Sequence, residues 1–119
     1  MRAVGLIELT SIASGFEVTD AMLKAANVEL LLSRTICAGK YMVIVGGEVA
    51  GVRSAVDSGL EVWQGAVIDS MGIPSVHADI FPALAGSNPI RPEGALGILE
   101  AFSVASLIEG ADEALKTAD

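Results

Sequence analysis

One thiol occurs in the 119 residues, Cys37, in the short run Ile36-Cys37-Ala38-Gly39. A single cysteine forms no disulfide within its chain, which fits a reducing compartment. One thiolate also cannot hold an iron–sulfur cluster alone, since such clusters take several cysteines. Read in isolation, Cys37 is a small apolar side chain for a core. Other chemistry-bearing residues are sparse. Glu8 and Glu100 sit in apolar, strand-like runs, but no nucleophile or second acid–base group accompanies them. They are expected to make structural hydrogen bonds, and the chain is expected not to be an enzyme. His77 and Asp79 are too few for a metal site and are expected at the surface or in packing. Gly46-Gly47 lacks the spacing of a phosphate-binding loop. Trp63 is expected to pack rather than to serve as a ligand platform. Lys24 reads as a solvated cation near a helix C-terminus, where positive charge is favoured.

Several of these residues occur twice. An offset of 92 residues sets Ala3–Asn27 on Ala95–Asp119, pairing Gly5 with Gly97, Glu8 with Glu100 and Ser11 with Ser103. The same offset pairs Ala13 with Ala105, Ser14 with Ser106, Glu17 with Glu109, Asp20 with Asp112, Leu23 with Leu115 and Lys24 with Lys116. Such agreement reads as one domain followed by the opening piece of a second copy. The expected units are a first domain at 1–84, a linker at 85–94 and an incomplete second repeat at 95–119, its first strand and helix. Either the chain is a truncated tandem protein or the leftover segment has a role of its own. A lone strand and helix cannot bury themselves, so the tail is expected to pair with another copy or to stay mobile.

The elements that must position these residues follow from periodicity. Ala3–Leu9 is an apolar run with β-branched residues and reads as a buried strand. Ser14-Gly15-Phe16-Glu17 has the form of a capping box, repeated as Ser106 and Glu109. A helix is predicted from there to Ala26, with Phe16, Leu23 and the alanines facing inward and Asn27 as the stop. Val28–Thr35 and Lys40–Gly46 are predicted strands joined by the turn at 36–39. Val49, Val52 and Val56 recur at helical spacing, giving a second helix closed by Gly59, with a further helical turn at Leu60–Gln64. Ala66–Ile73 reads as a fourth strand ended by Pro74, and His77–Leu84 is left unassigned.

The order β-α-β-β-α-β gives an α+β, ferredoxin-like split βαβ domain, an antiparallel sheet with both helices on one face, plus a strand–helix appendage. Composition is 52% hydrophobic but only 4% aromatic, so the core must be aliphatic. With a mean hydropathy of +0.60, the chain is expected to bury further surface against copies of itself. Net charge is −8 with no basic run, so nucleic acid and anionic membrane are not expected partners. The apolar stretches fall short of a membrane span, and no signal peptide is expected, because Met1-Arg2 leads into an apolar run of only strand length with no cleavage site.

Residues 3–79, and again 95–119, resemble the bacterial microcompartment shell-protein domain. The likeness is carried by the strand Gly5-Leu6-Ile7-Glu8, by the helix end Asp20-Ala21-Met22-Leu23-Lys24-Ala25-Ala26-Asn27-Val28, and by Gly47-Glu48-Val49 before Val52 and Ala55. Thr35 to Lys40, Ile73 to Ala78 and Pro82 to Gly86 are similar to the tandem-domain members found in propanediol-utilisation compartments. Ordinary single-domain members have glycine where Cys37 stands.

The resemblance implies flat ring-shaped tiles, homo-trimers or homo-hexamers, that pack with other shell proteins into a cytoplasmic microcompartment shell around encapsulated enzymes. It places Ile36, Cys37, Ala38 and Gly39 at a central pore, and Lys24 at the tile edge where neighbouring tiles meet. It further implies that Cys37 thiolates from three subunits ligate a [4Fe–4S] cluster on the axis, for electron transfer across the shell. Aerobic preparations can lack that cluster. A different class of function, a small-molecule-sensing regulatory module, stays open beside it because the ferredoxin-like architecture serves many purposes.

Overall fold

The computed structural model describes residues 1–86, 88, 89 and 94–118. Ala3–Leu9 forms β1, every residue of it buried. Its side chains alternate between two faces. Ala3, Ile7 and Leu9 join one apolar cluster, and Val4 and Leu6 the other. A strand buried on both faces reads as a continuous apolar run, which is why it was legible in sequence.

β1 leads into α1 (Ile12–Ala25). The hairpin β2 (Glu29–Ile36) and β3 (Lys40–Gly47) follows, then α2 (Val49–Val62). A 3-10 turn over Gln64–Ala66 precedes β4 (Val67–Ile73). The strands are antiparallel in the order β2-β3-β1-β4, so the most apolar strands are central. α1 and α2 cover one face through Val18, Met22, Val52, Ala55 and Val56. The ferredoxin-like expectation therefore holds.

Three local expectations are corrected. The helix cap is Ser11, not Ser14: the Ser14 amide donates to Ser11 Oγ at 3.3 Å. An extended cap residue must precede the helix, and Ser14 already lies in the first turn. Phe16 and Leu23 face outward, while α1 buries Ser14, Gly15, Val18, Thr19 and Met22. Gly59 does not end α2 but lies inside it, where an added Cβ would come within 2.7 Å of Ile7 and 2.8 Å of Met22. Its missing side chain lets α2 approach β1 and α1.

The larger difference is on the other face. A short helix, α3 (Ile80–Leu84), and a 14-residue helix, α4 (Val104–Thr117), cover it. Ile80, Ala105 and Ile108 pack there with Val4, Leu6, Ile44, Met71 and Ile73. The helix of the tail thus finds its partner within its own chain, because that sheet face is apolar and needs cover. Its strand does not form: residues 95–101 are irregular and exposed. A strand needs a neighbour to satisfy its amides and carbonyls, and the sheet's two edges are β2 and β4. Half of the expected linker at 85–94 lies outside the described residues.

Candidate functional site

The β2–β3 hairpin pairs Ile36 with Lys40, leaving Cys37, Ala38 and Gly39 as its tip. Gly39 has φ +75° with open space around it, the left-handed position a three-residue hairpin loop requires. Cys37 is a free, exposed thiol at the tip. A shallow hollow beside it is bounded by Ile12, Arg34, Thr35, Ile36 and Gly39. The isolated-residue reading of Cys37 as a buried apolar group is corrected, since a tip of three residues projects past both strands and has no core to enter.

A polar chain fixes the base of this hairpin. Tyr41 and Ser33 hydroxyls are hydrogen-bonded at 2.6 Å, Ser33 and Thr19 at 3.1 Å, and Thr19 donates to the Gly15 carbonyl at 2.7 Å. Gly15 is required there: an added Cβ would stand 2.2 Å from the Tyr41 ring. β2, β3 and α1 are thereby locked together. Sequence reasoning missed this chain because Ser, Thr and Tyr at scattered positions carry no pattern.

Lys24 lies on the last turn of α1 and pairs with Asp20 at 2.7 Å, one helical turn earlier, with both side chains well exposed. An exposed pair of this kind contributes only about 0.3–0.5 kcal/mol, so it leaves the ammonium available to a neighbour. The structure does not bring Lys24 and the hairpin tip into one cluster. His77 Nδ1 accepts from the Asp79 amide at 3.2 Å, and no group of three metal-ligating residues occurs among the described residues. Trp63 is half-exposed rather than packed, and its indole N–H donates to Glu17 at 3.1 Å.

A second polar site joins β1 to α4, and the repeat only hinted at it. Glu8 is 1% exposed and its Oε1 accepts the Ala105 amide at 2.8 Å. That amide belongs to the free first turn of α4, where a carboxylate meets both unpaired N–H groups and the positive end of the helix dipole. Alongside, Ser103 Oγ accepts from the Ser106 amide at 3.1 Å and donates to Asp69 at 2.7 Å. At mid-helix the His77 amide donates to Asp112 at 2.7 Å, and Lys116 pairs with the same carboxylate. Burial by itself would raise the Asp112 carboxyl, but the Lys116 ammonium and the His77 amide outweigh it and hold it below its ordinary value. Glu8 thus makes the structural hydrogen bond expected of it.

Among the described residues, no helix is long and apolar enough to cross a membrane. An open groove between α2 and the β1–β4 edge carries Arg53 and Asp57 among its lining residues.

Comparison with known proteins agrees with this architecture. The chain is 45% identical over 118 residues to the bacterial microcompartment shell protein PduT of Citrobacter freundii, covering 99% of this chain and 64% of that one. It is 36% identical over 87 residues to the shell protein EutM of Salmonella typhimurium, covering 69% of this chain and 91% of EutM. A crystal structure of a microcompartment protein from Desulfitobacterium hafniense superposes with a TM-score of 0.89 at 45% identity, covering all of this chain and 66% of that one. The chain therefore spans just under two thirds of the length of PduT. Residues 3–76 match the BMC domain, and with that match the chain belongs to the BMC domain family.

Proposed function

We propose that this chain is a building block of a bacterial microcompartment shell, closing with copies of itself, three or six, into a ring whose hub is the β2–β3 hairpin tip. The carrying observation is the tip itself: a three-residue turn that presents one free thiol to solvent in a BMC domain. The protein's thin outline, 45 × 31 × 19 Å, suits a tile. The relatives called shell proteins support the structural role. Other shell proteins and the enclosed enzymes are the proposed neighbours, in the cytoplasm.

The finer reading is that Cys37 holds a [4Fe–4S] cluster shared on the ring axis. The donor chemistry fits: one exposed thiol per chain, with no competing ligand cluster among the described residues. Three such thiolates would take three of the four irons, and the cluster would supply one-electron transfer across the shell.

Native mass spectrometry of anaerobically prepared protein tests both levels. The expected mass is a three- or six-membered ring carrying iron, and Cys37→Ala should keep the ring while losing iron and brown absorbance. A single-chain mass would end the ring reading, whereas full iron retained by Cys37→Ala would end only the cluster. At the tile edge, Lys24→Asp should preserve rings but abolish extended sheets in electron micrographs; unchanged sheets would remove Lys24 from that role.

A further inference from the structure

The hairpin that carries Cys37 is charged against the rest of the chain. Between Glu29 and Glu48 there is no acidic residue, only the cations Arg34 and Lys40, although the whole chain has a net charge of −8. Arg34 lies on β2 opposite Met42 and is exposed. It borders the same shallow hollow as Cys37 and is the one cation among the hollow's described lining residues. Among the described residues, no carboxylate pairs with Arg34. Its strand is held in place by the Tyr41–Ser33–Thr19 hydrogen bonds. A guanidinium stays charged at every working pH. An acidic protein thus keeps a permanent, unneutralised positive charge beside its one thiol.

We infer that Arg34 is the counter-charge of the group held at Cys37: it raises the reduction potential of the iron–sulfur cluster and so sets which electron donors can reduce it. This rests on the cluster reading proposed above and adds the residue that tunes it. Three thiolates make the bound group anionic, and an added electron makes it more so. Net charge is one of the levers on a cluster's potential. The acidic chain as a whole opposes that electron, and the Arg34 guanidinium of each copy in the ring offsets the opposition locally. Reduction adds one electron to the iron–sulfur core and removes one from a low-potential one-electron carrier, with no bond made or broken.

Potentiometric titration of anaerobically prepared, iron-loaded rings tests this, with dithionite as the reductant and electron paramagnetic resonance as the readout. Arg34→Gln should lower the midpoint by about 59 mV, a tenfold loss in the equilibrium constant for one-electron reduction, with ring mass and iron content unchanged. Arg53→Gln removes the same charge from the groove at the Ala3 end of β1, whereas the hairpin tip lies toward the Leu9 end. It should leave the midpoint at the wild-type value. Arg34→His should titrate, standing near wild type at pH ~5.5 and falling toward Arg34→Gln by pH ~8, because the imidazole loses its charge near pH ~6.5.

An Arg34→Gln midpoint equal to wild type, or an equal shift in Arg53→Gln, would overturn the inference and spare the cluster. Wild-type rings without iron would overturn both. Should Arg34→Gln not hold iron, the pH series of Arg34→His decides alone, and a midpoint that tracks wild type across that range would overturn the inference.

Discussion

α1 and α4 are two printings of one sequence pattern with opposite fates. Each begins with an extended serine whose hydroxyl accepts the amide three residues on, Ser14 to Ser11 in one and Ser106 to Ser103 in the other. Each carries an Asp–Lys pair one turn apart near its end. Yet Phe16 stands in solvent where Ile108 is buried, and Asp20 is exposed where Asp112 is only 5% exposed. α1 packs with Val18, Met22 and α2 on the face of the sheet that holds Ile7 and Leu9. α4 lays the equivalent of α1's outer side on the opposite face. The difference teaches that local sequence sets a helix, its cap and its charge pairs, while the surface it meets decides which side is buried.

That contrast can be broken first at the buried apolar contact. Ile108→Ala should cost about 3 kcal/mol by removing packed methyl groups, read as a lower urea midpoint. Phe16→Ala, in dissociated chains, should cost under about 1 kcal/mol, chiefly its tilted contact with Tyr41 at 5.6 Å. Equal losses would mean that α4 is not docked as described.

The next effect is polar. Glu8→Gln weakens the charged acceptor at the start of α4 and should cost about 2 kcal/mol, with faster proteolysis in residues 95–103 as α4 loosens. Glu100→Gln should leave the stability of dissociated chains unchanged, which thermal melts of both variants would check.

The smallest effect sharpens the comparison by pH. The Asp112 carboxyl is lowered in the folded chain, so it binds its proton more readily when unfolded. Its contribution is therefore present above the ordinary aspartate value near pH ~4. It is lost as pH falls through the lower folded value. Asp112→Asn should remove on the order of 1 kcal/mol at neutral pH and flatten part of the acid limb of the stability curve. Asp20→Asn should leave that limb in place, since an exposed pair is weak. An identical acid limb in wild type and Asp112→Asn would contradict the assignment.

Much of the fold was legible because its signals are local. β1 betrayed itself as an apolar run broken only by Glu8, α2 by Val52 and Val56 one turn apart, and the hairpin by Gly39 between two strand-like runs. Phe16 misled because an aromatic at helical spacing looks like core, and nothing in the sequence says that a small residue, Gly15, must face Tyr41 instead. Ser14 and Glu17 misled because they have the spacing of a capping box, whereas the backbone geometry makes Ser11 the cap. The Cys37 tip was visible as a turn. The Thr19–Ser33–Tyr41 chain that steadies it was not, because its members lie far apart in sequence.

The sequence by itself determined the repeat, the β-α-β-β-α-β order of the first domain and the carboxylate at Glu8, since periodicity and residue type act over a few neighbours. Only the tertiary structure decided that Glu8 serves α4 rather than the adjacent α1, that the tail's helix seals its own sheet, and that residues 95–101 stay without strand partners. Those outcomes depend on which apolar face is left uncovered once the sheet has closed. That competition among distant surfaces cannot be read from any local window.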